Sequence, residues 1–141
     1  MPRAYIPVVI RRSVIERAYE RCEYCQARAD FATETFAVEH IVPLSRGGTD
    51  DLENLALACS GCNSRKYNKV EAYDPIRGEV VSLFHPRIQV WTEHFRWNEN
   101  YTQVVGVTDI GRATVATLQM NRPNVINVRS AMFLLGIHPP T

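Results

Sequence analysis

The sequence predicts an α+β fold with two halves of different texture, on three observations. The four cysteines fall into two Cys-x-x-Cys pairs, Cys22/Cys25 and Cys59/Cys62. Two short apolar runs, Phe36–Val42 and Leu55–Ala58, flank a Gly-Gly turn and are followed by a cationic stretch of helical composition, in the order strand, loop, strand, helix. Beyond Asp74-Pro75 and Arg77-Gly78 the chain changes character, with strand-like segments first and helix-like segments after. At 141 residues it is long enough for one domain, or one small domain with an extension. The expected division is an N-terminal arm at 1–12, a compact domain at 13–74 and a C-terminal α+β extension, a β-hairpin plus helices, at 75–141.

Taken in order, residues 1–10 carry Pro2 and Pro7 and read as an extended arm, with Val8-Val9-Ile10 able to pair as an edge strand. Ser13-Val14-Ile15-Glu16 is a capping box, which predicts a helix from Ser13 to about Arg21 that delivers Cys22. Residues 26–35 read as a loop into the first strand, which Pro43 ends. Ser45–Thr49 is turn chemistry, because glycine adopts positive φ at little cost. Asp50–Asn54 leads into the second apolar run, and Asn63–Lys69 has helical composition with a cationic face. In the second half, 79–84 reads as a strand and His85-Pro86 as a turn. Residues 89–97 and 102–107 read as two strands joined at 98–100, and helices are predicted over 111–120 and from Pro123 to Gly136.

The cysteine arithmetic points to a metal. A Cys-x-x-Cys turn aims two sulfurs at one point, and two such turns close a tetrahedral all-thiolate sphere, the arrangement of a structural zinc site. Two disulfides are the competing reading, but no secretory signal is apparent and cytoplasmic thiols stay reduced, so the expectation is a cytoplasmic protein. A redox Cys-x-x-Cys explains one pair and not two. Zn2+ held by Cys22, Cys25, Cys59 and Cys62 would staple a domain whose own core is small.

Within that staple, the run EHIVPLSRGGTDDLENLALACSGCNSRK, together with the upstream Cys-x-x-Cys, resembles the HNH endonuclease family. The likeness covers roughly residues 13–70 and rests on acid-His, Gly-Gly, Asn-Leu and Cys-x-x-Cys-Asn in register. It implies a ββα-metal core and a metal-dependent phosphodiesterase. His40 would be the general base that activates water, and Asn54 would brace the loop and orient it. Asn63 takes a position where the family often has His, which makes this an HNN-type variant. Glu39 and Asn63 would hold one divalent cation, Mg2+ being the expected one. The chemistry is reasonable in itself: neutral imidazole accepts a proton near neutral pH, and a hard cation with oxygen ligands stabilises charge on phosphate. The extension also resembles, more weakly, one attached to HNH domains in some bacterial proteins.

Charge limits the grip on nucleic acid. Lys and Arg number 16 against 15 acidic residues, for a net charge of +1, so no general basic field exists and affinity must come from local clusters. Arg65, Lys66 and Lys69 after the second knuckle are the leading candidates, then Arg46 beside the Gly-Gly turn. The predicted partner is DNA, bound modestly, salt-sensitively and with little sequence preference. Arg11, Arg12, Arg17 and Arg21 read as a solvated basic face. Trp91, Phe95, Trp97 and Tyr101 read as hairpin packing rather than a base-stacking platform, and His85, His94 and His138 as structural or surface groups. No apolar run is long enough to span a membrane. Two function classes remain, a metal-dependent endonuclease and a zinc-stapled nucleic-acid-binding module without chemistry.

Overall fold

In the computed structural model, which describes residues 5–140, helix α1 runs Val8–Arg17, directly after Pro7. Two expectations are corrected here. Val8-Val9-Ile10 form the first turn of a helix rather than an edge strand, and Ser13 lies exposed inside that helix rather than capping it. Tertiary contacts explain the difference. Val14 and Ala18 are buried. The Arg17 guanidinium donates to the Leu52 and Leu55 carbonyls at 2.9 and 2.6 Å, and Arg11 donates to the Phe36 carbonyl at 2.6 Å. These arginines serve as ties to the next layer, which outweigh the weak helix propensity of β-branched residues. The first residues of the expected arm, 1–4, lie outside the described residues.

Left-handed Tyr19 and Glu20 (φ 54° and 57°) end the helix and turn the chain into the first knuckle. Strand β1 (Ala37–His40) then pairs antiparallel with β2 (Leu55–Ala58), with His40 opposite Leu55 and Glu39 opposite Ala56. The connecting loop contains 3-10 turns at Leu44–Arg46 and Leu52–Asn54. Helix α2 covers Ser60–Lys66, so the second knuckle is its first turn. These elements are the ββα unit.

A second antiparallel hairpin follows, β3 (Glu71–Tyr73) with β4 (Val80–Ser82). A one-turn helix, α3 (Trp91–His94), leads into β5 (Phe95–Trp97), which pairs with β6 (Val104–Gly106). The first half of the strand expected over 89–97 is therefore helical. Helices α4 (Asp109–Leu118), capped by the Thr108 hydroxyl, and α5 (Pro123–Leu134) complete the chain. The fold is α+β, built from small hairpins and helices.

The division expected at 74/75 falls inside the β3–β4 turn, and the core is continuous across it. Val14, Tyr24, Leu55 and Leu57 share one hydrophobic cluster with Phe84, Phe95, Val104, Leu118 and Met120. Asp74 is fully buried and receives two bonds from the Arg112 guanidinium of α4, at 2.9 and 2.7 Å. Trp91 Nε1 donates to the Tyr24 carbonyl at 2.7 Å. The aromatic residues are packed: Phe95 lies edge-on to Phe84 at 5.1 Å, Trp91 contacts both Phe95 and Trp97, and Tyr101 stacks on Phe133. His94 bonds Thr108 and His138 bonds the Tyr101 carbonyl, both at 2.7 Å, and the His85 ring accepts from the Arg87 amide. Among the described residues no helix is long and apolar enough to cross a membrane.

Candidate active site and metal centre

Each Cys-x-x-Cys is a turn whose amide points back at its own first sulfur. The Cys25 amide donates to Cys22 Sγ at 3.5 Å, and the Cys62 amide donates to Cys59 Sγ at 3.4 Å, which makes Cys59 the N-cap of α2. The Cys22–Ala27 and Gln26–Cys22 backbone bonds close the first turn, with left-handed Gln26 at its end. All four side chains are buried and their sulfurs lie within 4.8 Å of one another, Cys25 to Cys59 at 3.6 Å. Tetrahedral Zn–S bonds of about 2.3 Å place sulfurs about 3.8 Å apart, so the cluster fits zinc in donor type, number and spacing. Arg129 from α5 closes over it. The guanidinium is buried, donates to the Cys25 carbonyl at 3.4 Å and to the Met120 carbonyl at 2.8 Å, and lies over the Trp97 ring at 5.2 Å. A fixed positive charge beside four thiolates offsets part of their negative charge.

The loop between β1 and β2 is braced from within by Asn54. The Asn54 amide is buried; its Oδ1 accepts from the Val42 amide at 2.9 Å, and its Nδ2 donates to the Val42 carbonyl at 2.9 Å and the Thr49 carbonyl at 2.8 Å. The Gly-Gly turn makes this closure possible. Gly47 has φ +87°, and a Cβ on Gly48 would collide with the Val42 carbonyl and lie 2.9 Å from Asn54 Nδ2. His40 stands at the end of β1 next to this loop, its side chain 17% exposed, with Nε2 2.7 Å from Asp50 Oδ1.

Glu39 does not share that surface. Successive side chains on a strand point to opposite faces, so Glu39 enters the interior as His40 leaves it. Its carboxylate is buried, accepts from the Tyr24 hydroxyl, and pairs with Lys66 Nζ at 3.1 Å; that ammonium also donates to the Ile41 carbonyl at 2.8 Å. Burial raises the Glu39 carboxyl above its usual range, against the opposing pull of the Lys66 charge. Burial and the Glu39 charge together push the Tyr24 hydroxyl well up, so it stays a donor. Asn63, on α2, is half-buried, and its side chain makes no hydrogen bond among the described residues. The expected cation site at Glu39 and Asn63 does not fit this arrangement, because a lysine ammonium already occupies the carboxylate.

Of the four cations expected to meet nucleic acid, Lys66 is corrected: at 1% exposure it belongs to the core and touches no solvent-borne ligand. The other three remain near the surface around the end of α2. Arg46 is exposed and donates to the Asn68 carbonyl at 2.7 Å, which links the Gly-Gly loop to the residues after the helix. Lys69 is exposed beside the Arg65 carbonyl, and half-buried Arg65 donates to the Gly61 carbonyl at 3.2 Å.

Residues 22–69 match the family model described as HNH endonuclease. This segment is an HNH domain. It contains both knuckles, the β1–β2 hairpin with its braced loop, and α2. No curated protein matches the chain. Three residues around the HNH site were invisible as such in the sequence. Asp50 meets His40 from ten positions further along the chain, a pairing with no periodic signature. Tyr24 and Glu23 occupy the variable positions of the first knuckle. Tyr24 turns into the core, and the Glu23 carboxylate accepts from the Leu57 amide at 2.8 Å and pairs with Arg87.

Proposed function

We propose that this chain is an HNH endonuclease that hydrolyses phosphodiester bonds of DNA, with His40 as the base and zinc in the four-cysteine centre as the structural staple. The observation that carries this reading is the position of His40 within the matched segment. It is the one ionisable ring at the rim of the Asn54-braced loop, partly open to solvent, on a hairpin fixed by the cysteine cluster. Neutral imidazole takes a proton from water as the water oxygen bonds to phosphorus and the bond to the leaving oxygen breaks. Arg46, Lys69 and Arg65 would supply local positive charge for the flanking phosphates. The Glu39 carboxylate is committed to Lys66 and Tyr24, and the proton transfer to His40 does not depend on it.

That same commitment favours a second reading, a zinc-stapled nucleic-acid-binding module without catalysis. Incubation of supercoiled plasmid with the zinc-loaded protein in Mg2+, Mn2+ or EDTA separates the two. Nicking in any arm supports the nuclease and shows whether a cation is needed. Plasmid retardation on a gel with no cleavage in any arm would replace it with the binding module.

A further inference from the structure

We infer that Asp50 is the positioning residue of His40, fixing the tautomer in which Nε2 carries the proton and Nδ1 presents the lone pair. The inference rests on the nuclease reading for its catalytic consequence, though the pairing itself stands on geometry. A carboxylate only accepts hydrogen bonds at neutral pH, so the 2.7 Å contact between His40 Nε2 and Asp50 Oδ1 assigns the ring proton to Nε2. Nδ1 has no hydrogen-bond partner among the described residues, and it is not among the buried unpaired atoms. It is therefore the nitrogen left facing solvent, and the one able to take a proton from water.

The loop holds Asp50 for this role. The preceding Thr49 carbonyl is fixed by Asn54 Nδ2 at 2.8 Å, and the Gly48 amide donates to the Pro43 carbonyl at 3.0 Å. The following Asp51 amide donates to the Thr49 hydroxyl at 3.3 Å, and that hydroxyl donates to the Asp51 carboxylate at 3.0 Å. Asn54 thus acts on His40 indirectly: it fixes the turn that carries Asp50, and Asp50 fixes the ring. Glu39 cannot substitute. It neighbours His40 in sequence but projects through the opposite face of β1 into its own pair with Lys66. A hydrogen-bonded carboxylate that orients a general-base imidazole and selects its tautomer is a recurrent device, and its loss costs up to about 10^4-fold in kcat.

Asp50 is 59% exposed, so Asp50→Ala should fold normally, as judged by circular dichroism. Two readouts test the inference. Long-range 15N–1H correlation spectra of the neutral His40 ring, assigned by the signal lost in His40→Ala, should show a single Nε2–H tautomer in the wild type. In Asp50→Ala the two ring nitrogens should move toward averaged shifts. In cleavage assays Asp50→Ala should lose up to about 10^4-fold in kcat with KM nearly unchanged, and Asp50→Glu, which keeps a carboxylate able to accept from Nε2, should recover part of the loss. An Nδ1–H tautomer in the wild type, or identical ring spectra in wild type and Asp50→Ala, would overturn the assignment. Wild-type protein that cleaves nothing would remove the nuclease reading, and the spectra would still decide whether Asp50 sets the tautomer.

Discussion

Replacement of Lys66 by alanine separates a buried structural lysine from a nucleic-acid contact. The ammonium lies 3.1 Å from Glu39 Oε2 and 2.8 Å from the Ile41 carbonyl, in a residue 1% exposed. Lys66→Ala leaves the Glu39 carboxylate buried with only the Tyr24 hydroxyl for a partner. Removing one member of a buried pair costs about 3–5 kcal/mol, whereas substitution at an exposed lysine stays within about 0.5 kcal/mol. For a chain of this length about 3 °C of Tm accompanies each kcal/mol, so the variant should melt about 10–15 °C below wild type. Lys66→Met combined with Glu39→Gln removes both charges, and the amide still accepts from Tyr24. That double variant should return to within about 1–2 kcal/mol of wild type, since replacing a buried pair with neutral groups is close to neutral. Urea denaturation of zinc-loaded proteins measures both. A Lys66→Ala protein as stable as wild type but with weakened DNA binding would refute the burial account and restore Lys66 to the surface.

Three further outcomes follow from the geometry. Cys22→Ser should lose zinc and the cooperative unfolding transition together, read by metal content and circular dichroism, because the closed four-sulfur sphere contributes folding energy directly. The Arg112 guanidinium holds the Asp74 carboxyl down at about 2, below an unfolded value near 3.9. Its contribution is therefore complete above about pH 4 and lost as pH falls toward 2. The stability gap between wild type and Asp74→Asn should close over that window, and a gap constant from pH 5 to pH 2 would contradict the pairing. Combined replacement of Arg46 and Lys69 by glutamine should weaken DNA binding and reduce the salt slope by about 2; an unchanged slope would place the interface elsewhere.

The parts of this fold legible in the sequence were those set by local chemistry. Cys-x-x-Cys spacing fixes where sulfurs point, and the Gly-Gly turn and Pro43 bound the first strand, so the cysteine cluster and the β1–β2 hairpin could be read directly. Helix α1 could not. Val8-Val9-Ile10 has strand composition and Ser13-x-x-Glu16 mimics a helix start, while the contacts that decide the matter, Arg11 and Arg17 to carbonyls of residues 36, 52 and 55, are distant in sequence. Two other signals were present in the sequence. Lys66 stands four residues after Cys62, on the face of α2 that turns inward. Glu39 alternates with buried Ile41 rather than with His40. Period and helical spacing thus separated the buried pair from the surface histidine, whereas motif order alone grouped Glu39 with His40 and Asn63. The Asp-Pro and Arg-Gly punctuation that predicts a boundary at 74/75 instead marks the β3–β4 turn, above the pairing of buried Asp74 with Arg112.

The most direct measurement is single-turnover cleavage of a labelled DNA duplex by wild type and His40→Ala, both zinc-loaded and with matching circular dichroism. Cleavage by the wild type that falls by at least about 100-fold in a folded His40→Ala protein is the predicted result. Equal rates in the two proteins would show that the histidine at the rim of the loop is not the base, and that the Asn54-braced loop does not carry the chemistry.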